Sequence, residues 1–342
     1  VDRKLASIQK ILNIKPIEGA DRIECADILG WHCVVGRGEF KVGDLIIYLE
    51  VDSVTPQTET FKLLASSNYR VKTRRFKKQI SQGLCLPLHS TLAEKYLPLC
   101  EQLGTGLLPE GLDLTEALGI TKYEIYIPAQ LAGTVKGNFP EFLHKTDEER
   151  IQGYPEVLER YKGFVFSMSE KLDGTSFTCY LNNGEFGVCS RNLELKEDDS
   201  NTYWKVAKEL DLKGLLEKLG GNWALQGELI GQGIQKNKYL LPNVQLKLFN
   251  IFNIATGKYL DQDTFARVAA NLGLDTVPML GEIPLNHTVD QLVELAKGPS
   301  KLNPKIPREG IVFRPEHETY NEDLGRLSFK VLNPIYLLEQ EE

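Results

Sequence analysis

The stretch Ser169–Phe177, SEKLDGTSF, sets a lone lysine, Lys171, between Glu170 and Asp173 and follows it with an Asp-Gly turn and small hydroxyl residues. The residues leading into it, FVFSMSEK (Phe164–Lys171), alternate apolar and polar side chains, the period of a half-buried strand. Lys171 is thus expected at the end of a strand, opening onto a turn. LNNGE (Leu181–Glu185) reads as a hairpin turn, and GEFGVCSRN (Gly184–Asn192) as the returning strand. NTYWKVAKELDLKGLLEKLGG (Asn201–Gly221) has helical spacing through Tyr203, Val206, Ala207 and Leu210 and ends on a glycine pair suited to a C-cap. Strand-like runs follow in WALQGELIG (Trp223–Gly231), QLKLFNIFNI (Gln245–Ile254), EGIVFRP (Glu309–Pro315) and RLSFKVL (Arg326–Leu332), with helical pieces near residues 263–272 and 288–297. This is a mixed α+β pattern.

Upstream, RIECADILGWHCVVGRGEFKVGDLIIYLEVDSVTP (Arg22–Pro56) alternates in short runs broken at Gly30, Gly36 and Gly38. Such strands over the first hundred residues predict a small barrel. Between residues 103 and 152 the pattern weakens, and HKTDEERIQG (His144–Gly153) reads as a link. The 342 residues, 42% hydrophobic and 25% charged, supply two ordinary cores. No apolar run approaches bilayer length and no leader-like segment opens the chain, so neither membrane nor export is indicated and an intracellular site is expected. Six scattered cysteines lack C-x-x-C pairing and read as buried thiols. With a net charge of −7, polyanion binding must come from a local basic surface. RVKTRRFKKQ qualifies, with Arg70, Lys72, Arg74, Arg75, Lys77 and Lys78 around Phe76.

A single K-x-D-G match carries little weight; its company carries more. In chain order come Arg191 in SRN, Glu228 in QGELIG, Phe252 in FNIFNI, Glu309 in REGIVF and Lys330 in LSFKVL, each on or beside an expected strand. The set is similar to the motifs of ATP-dependent nucleic-acid ligases, a resemblance that implies a lysine attacking phosphorus; such a lysine must be a neutral amine, whereas its reference pKa is about 10.4, so positive charge must be supplied nearby. Carboxylates alone act the other way. Glu170 is therefore expected to face a base, and Asp173, Glu228 and Glu309 to hold Mg²⁺ or Mn²⁺, largely through water. Glu228 is also read as a ribose contact. Arg191, Lys247 and Lys330 are candidates for phosphate charge, and Phe252 for a flat apolar face. Alternation puts Lys247 and Phe252 on opposite faces unless a bulge intervenes, which discounts Lys247. Arg326, Ser328 and Lys330 share a face.

This ordered set resembles the nucleotidyltransferase motifs I, Ia, III, IIIa, IV and V of ATP-dependent nucleic-acid ligases and mRNA capping enzymes. Together with EGADRIE, GDLIIYLEVDSVTP, KTDEERIQ and REGIVFRP, the chain is most similar to RNA ligases with an N-terminal OB domain, the RNA ligase 5 group known from Deinococcus and Naegleria. The resemblance implies two domains: an N-terminal all-β OB-fold barrel over residues 1–130, and a C-terminal α+β nucleotidyltransferase domain, ATP-grasp-like with antiparallel sheets, over residues 131–342. It implies a monomer that joins 3′-hydroxyl to 5′-phosphate ends with ATP, at nicks in duplexes with an RNA 3′-OH strand, through lysyl-AMP on Lys171. Arg150 would lie near the leaving phosphates. Where many relatives have K-x-K in motif V, Ser328 takes the first position, and Arg326 is the candidate to replace it. The first domain is also similar to the tRNA-binding OB modules of synthetases. Two alternatives follow: a guanylyltransferase-type capping enzyme, or an inactive RNA-binding protein.

Overall fold

The computed structural model describes residues 4–91, 95–104, 108–123 and 134–341. The chain divides into two compact units, one of Val1–Ile125, Ile151–Val157 and Pro334–Glu342, the other of Tyr126–Arg150 and Leu158–Asn333. The first unit is thus assembled from three chain segments. The expected boundary near residue 130 lies outside the described residues.

In the first unit, β1 (Ala6–Lys10), β2 (Asn13–Pro16), β3 (Ile23–Ile28), β4 (Trp31–Gly36), β5 (Leu45–Leu49), β6 (Arg74–Phe76), β7 (Gln79–Ser81) and β8 (Leu84–Pro87) are short, as their turn-rich sequence requires. They pair as β1-β5-β8, β2-β3-β4 and β6-β7, and among the described residues these sheets do not close into one barrel. Trp31, Cys33 and Val35 of β4 alternate inward and pack with Ile46, Tyr48 and Cys85. The six cysteines are free and buried.

The second unit carries β9 (Val135–Asn138), β10 (Glu149–Arg150), β11 (Val165–Lys171), β12 (Thr175–Asn182), β13 (Glu185–Cys189), β14 (Leu193–Leu195), β15 (Trp223–Ile230), β16 (Gln245–Asn253), β17 (Lys258–Tyr259), β18 (Met279–Pro284), β19 (Gly310–Pro315) and β20 (Phe329–Leu332). Its helices are α1 (Thr202–Glu209), α2 (Leu212–Leu219), α3 (Gln262–Asn271) and α4 (Val289–Ala296). A seven-stranded sheet runs β9-β14-β13-β12-β15-β16-β17, and a five-stranded one β10-β20-β19-β11-β18. All pairs are antiparallel except β10 with β20.

One face of the larger sheet is apolar: Phe177, Cys179, Leu225, Leu229, Leu248 and Ile251 pack with Trp204, Leu212, Leu216 and Phe265 from α1 to α3. The β12–β13 turn takes Asn183 and Gly184 at φ 51° and 82°, the left-handed pair that a two-residue hairpin needs. The helical run after Asn201 is two helices, because Asp211 at φ 47° breaks it and its side chain caps the second by accepting from the Gly214 amide. The segment expected as a link is also structured: Glu149 and Arg150 form β10, beside Phe329 and Lys330 of β20.

Candidate active site

β11 delivers Lys171. Register places Ser167, Ser169 and Lys171 on one face of the smaller sheet, opposite Arg314, Val312 and Gly310 of β19, with Lys330 of β20 paired to Val312. The other face is apolar, with Phe166, Phe313 and Phe329 in ring contact. The larger sheet presents Glu228, with Ser176 and Lys247 as its direct neighbours on β12 and β16. Gly174 allows the turn after Lys171 to reach β15, since a Cβ there would stand 2.2 Å from the Leu229 carbonyl and 2.8 Å from the Glu228 side chain.

Lys171 Nζ lies 2.7 Å from Glu309 Oε1. Burial by itself would lower the pKa of this amine; Glu309, then Glu228 and Asp173, outweigh burial and raise it above its ordinary range. The carboxylates show the reciprocal strain. Burial pushes Glu228 up to about 8, with Glu309 and Asp173 adding to the shift while Lys171 and Arg191 oppose it. Burial and Asp173 likewise raise Glu309, and Lys171 and Lys330 oppose. Glu309 Oε2 is buried without a hydrogen-bond partner.

That orphaned oxygen, in a set of three hard carboxylate donors, fits a divalent cation better than it fits a lone ammonium. The three do not close on one point: among the described residues only Cys25, Asp27 and His32 bring three such ligand atoms within 4.8 Å of one another. Water would therefore complete the shell around an ion held by Asp173, Glu228 and Glu309.

Glu228→Gln is expected to stabilise the metal-free protein at pH 8.5 by an amount on the order of 4 kcal/mol. A carboxyl raised from 4.5 to about 8 contributes stability below 4.5 that is lost as pH rises through 8. Thermal melts should therefore coincide near pH 4 and separate at pH 8.5; coincidence at both would refute the burial cost.

Several residues that the sequence reading passed over hold the turn after Lys171. Lys238 Nζ lies 2.9 Å from Asp173 Oδ2, the Tyr239 hydroxyl accepts from the Asp173 amide at 2.7 Å, and Gln235 Nε2 donates to the Gly174 carbonyl at 3.2 Å. Their loop has Gln235, Lys236, Asn237 and Leu240 at positive φ, a cluster that marks strain near functional sites. This was the available signal, and it is conformational. Glu148 was also missed: it accepts from Arg314 at 2.6 Å and from the Ser328 hydroxyl at 3.3 Å. Burial would raise its pKa, yet Arg314, Arg326 and Lys330 outweigh burial and hold it low.

Glu170 is 1% exposed on the strand face opposite Lys171, and its Oε2 accepts from the Lys301 amide at 2.7 Å while its Oε1 is buried with no hydrogen-bond partner among the described residues. Three expectations need correction. The bulge does occur: Gln226 pairs with Asn250 but Gly227 with Leu248, so Phe249 is the extra residue, and Lys247 and Phe252 share a face. Lys247 returns to the site, beside Glu228, with its ammonium 2.7 Å from Asp275. Phe252, four pairs further on, is 1% exposed and packed against His144 and Tyr259, leaving no free ring face. Phe249 instead shares a cluster with Leu172 and Tyr239. Arg326 is committed to Glu318 and Asn250 and stacks on Tyr259 at 3.8 Å, so it does not replace the first motif V lysine. Arg191 pairs with Asp147 at 2.6 Å while its charge still reaches Glu228. Arg150 is buried in register with Lys330.

Comparison with known proteins agrees with this layout. A family model for RNA ligase matches residues 165–332, and an OB-fold domain model matches residues 5–88. Naegleria gruberi RNA ligase with PPi is 37% identical, over 99% of each chain, with a TM-score of 0.87. The chain belongs to the RNA ligase family. A lysine-to-alanine mutant of the Naegleria gruberi RNA ligase with ATP and Mn, and a glutamate-to-alanine mutant with AMP and Mn, are each 36% identical to this RNA ligase over 99% of both chains, again with TM-scores of 0.87. No curated protein sequence matches. The N-terminal unit of this RNA ligase is an OB-fold domain, and the second is an α+β ligase domain of largely antiparallel sheets.

Proposed function

We propose that this RNA ligase uses ATP and a divalent cation to join RNA 3′-hydroxyl to 5′-phosphate ends, with a preference for nicks in duplexes whose 3′-OH strand is RNA, in RNA repair. The observation that carries this reading is the partly exposed Lys171 amine at 2.7 Å from Glu309, within the field of Glu228 and Asp173, at the edge of two facing polar strand surfaces. Structures of the Naegleria gruberi relative with ATP, AMP, PPi and Mn support the same chemistry.

Neutral Lys171 Nζ forms a bond to the α-phosphorus of ATP, the bond to the β-phosphate oxygen breaks, and pyrophosphate leaves. AMP then passes to the RNA 5′-phosphate, and the 3′-hydroxyl displaces it. Asp173, Glu228 and Glu309 would hold Mg²⁺ or Mn²⁺, partly through water, and the ion would supply positive charge that favours the neutral amine and offsets phosphate charge. Lys330, Arg150 and Lys247 add fixed cations, and Gly174 with the 235–239 loop holds the nucleophile in line. Phe249 beside Leu172 is the aromatic placed to meet adenine. Sealing of matched nicked duplexes with RNA or DNA on each side of the break tests this reading; equal joining of all-DNA nicks would remove the RNA assignment.

The basic hairpin β6–β7 is assigned to nucleic acid. Arg74, Arg75, Phe76, Lys77 and Lys78 are all exposed, whereas Arg70 is tied to Asp52 at 2.6 Å and covers the Tyr123 ring, so it leaves the binding set. Lys72 is half-buried beside it. Replacing Arg74, Arg75, Lys77 and Lys78 with glutamine is expected to lower the salt dependence of nick binding by about one unit of log–log slope for each phosphate no longer neutralised, with lysine adenylylation unaltered. An unchanged slope would clear the hairpin of that role.

A further inference from the structure

The first unit carries a second cluster of ligating side chains, on β3 and β4. Cys25 and Asp27 stand two residues apart on β3 and so share a face of the sheet, with His32 of β4 directly opposite Asp27 and Lys15 of β2 opposite Cys25. The alternate residues Ala26, Ile28, Trp31, Cys33 and Val35 point the other way, into the core. One ligand atom from each of Cys25, Asp27 and His32 lies within 4.8 Å of the other two. His32 Nδ1 is 2.8 Å from Asp27 Oδ1, and Lys15 Nζ is 2.8 Å from Asp27 Oδ2. Cys25 is 3% exposed, whereas the Asp27 and His32 side chains are 16% and 36% exposed, so the cluster has a buried end and an open one.

This donor set differs in kind from the three carboxylates around Lys171. Thiolate and imidazole suit a borderline-soft ion, whereas Mg²⁺ keeps to oxygen. Bonds to Zn²⁺ of about 2.3 Å from sulfur and about 2.0 Å from nitrogen or oxygen put tetrahedral ligands roughly 3.3–3.7 Å apart, so side-chain rotation by about 1 Å closes the cluster while the strand ladder keeps the backbone in place. We propose that Cys25, Asp27 and His32 bind one Zn²⁺, with water in the fourth position. Cys25 gives its thiol proton to solvent, and the two anionic ligands cancel the charge of the ion. Lys15, whose side chain is 55% exposed, yields Asp27 Oδ2 by turning into water. The ion then ties β3 to β4 across the turn at Leu29 and Gly30. This site is independent of the ligase reading above.

The test uses the full chain, stripped of metal with a chelator and then titrated with Co²⁺ or Zn²⁺. Co²⁺ is expected to bind with the charge-transfer band of a thiolate ligand and the strong visible bands of tetrahedral geometry, which a shell of carboxylates and water does not produce, and one equivalent of Zn²⁺ should bleach both. Cys25→Ser should abolish the charge-transfer band, and His32→Ala should weaken Zn²⁺ binding at least about 100-fold. Lys15→Met should tighten it about threefold, since Asp27 loses a competing cation. Zn²⁺ should also raise the Tm of wild type and leave that of Cys25→Ser where it was. Should Cys25→Ser fail to fold, His32→Ala and Lys15→Met decide in its place. Absence of the charge-transfer band in wild type overturns the proposal, as does a band that survives Cys25→Ser, or a Zn²⁺ affinity indifferent to both His32→Ala and Lys15→Met. Lysine adenylylation with Mg²⁺, measured on the same preparations, reports on the ligase reading alone.

Discussion

Lys171→Ala should leave no covalent AMP adduct when the protein is incubated with labelled ATP and Mg²⁺, a loss of at least about 10⁴-fold against wild type, because the variant lacks the amine proposed to form the bond to phosphorus. Lys238 and Lys247 are nearby candidates, and each is 2.9 Å or less from a carboxylate of its own, Asp173 and Asp275. The same variant should still join a strand supplied already adenylylated at its 5′-phosphate, since that step begins after the bond from lysine to AMP has been broken. The wild-type adduct should be acid-labile, as a phosphoramidate is. An adduct of normal yield in Lys171→Ala would move the chemistry to another residue and remove the basis for assigning Glu228, Glu309 and Asp173 around this one.

Chelation of divalent cations should have an effect of similar size on the first step. Fewer than about one lysine in a thousand is neutral at pH 7 even at the reference pKa, and Glu309, Glu228 and Asp173 shift Lys171 further from neutrality. A cation on those oxygens reverses the sign of the local field. Adenylylation in EDTA is expected to fall at least about 10³-fold at pH 7.5. Residual activity should climb tenfold per pH unit from pH 6 to 9, because the amine must lose its proton and its raised pKa lies above that window. Labelling that survives EDTA at an undiminished rate, or that is flat with pH, would show that the carboxylates do not hold the proton on Lys171.

The polar face of the lysine's strand and the apolar face behind it were legible from alternation alone, because a strand's side chains point to opposite sides at period two whatever its partner. Order along the chain of Lys171, Arg191, Glu228, Glu309 and Lys330 was enough to carry the resemblance to the family, since an ordered set of short motifs has a weight that a single one lacks. What alternation missed was set by contacts between distant segments. Phe249 is extruded because β16 slips one residue against β15, and a slip belongs to the pairing of two strands rather than to either sequence. That slip returned Lys247 to Glu228 and carried Phe252 to a packed corner under Tyr259.

Polar partners were equally beyond local reading: Arg326 finds Asn250 as well as Glu318, Arg314 finds Glu148 across 166 residues, and Lys238 finds Asp173 across 65. The sequence by itself determined the strand pattern, the family and the choice of Lys171 as the proposed nucleophile. Only the tertiary structure decided which carboxylates, cations and aromatic rings surround it, because those choices depend on distances that exist only once remote segments pack together.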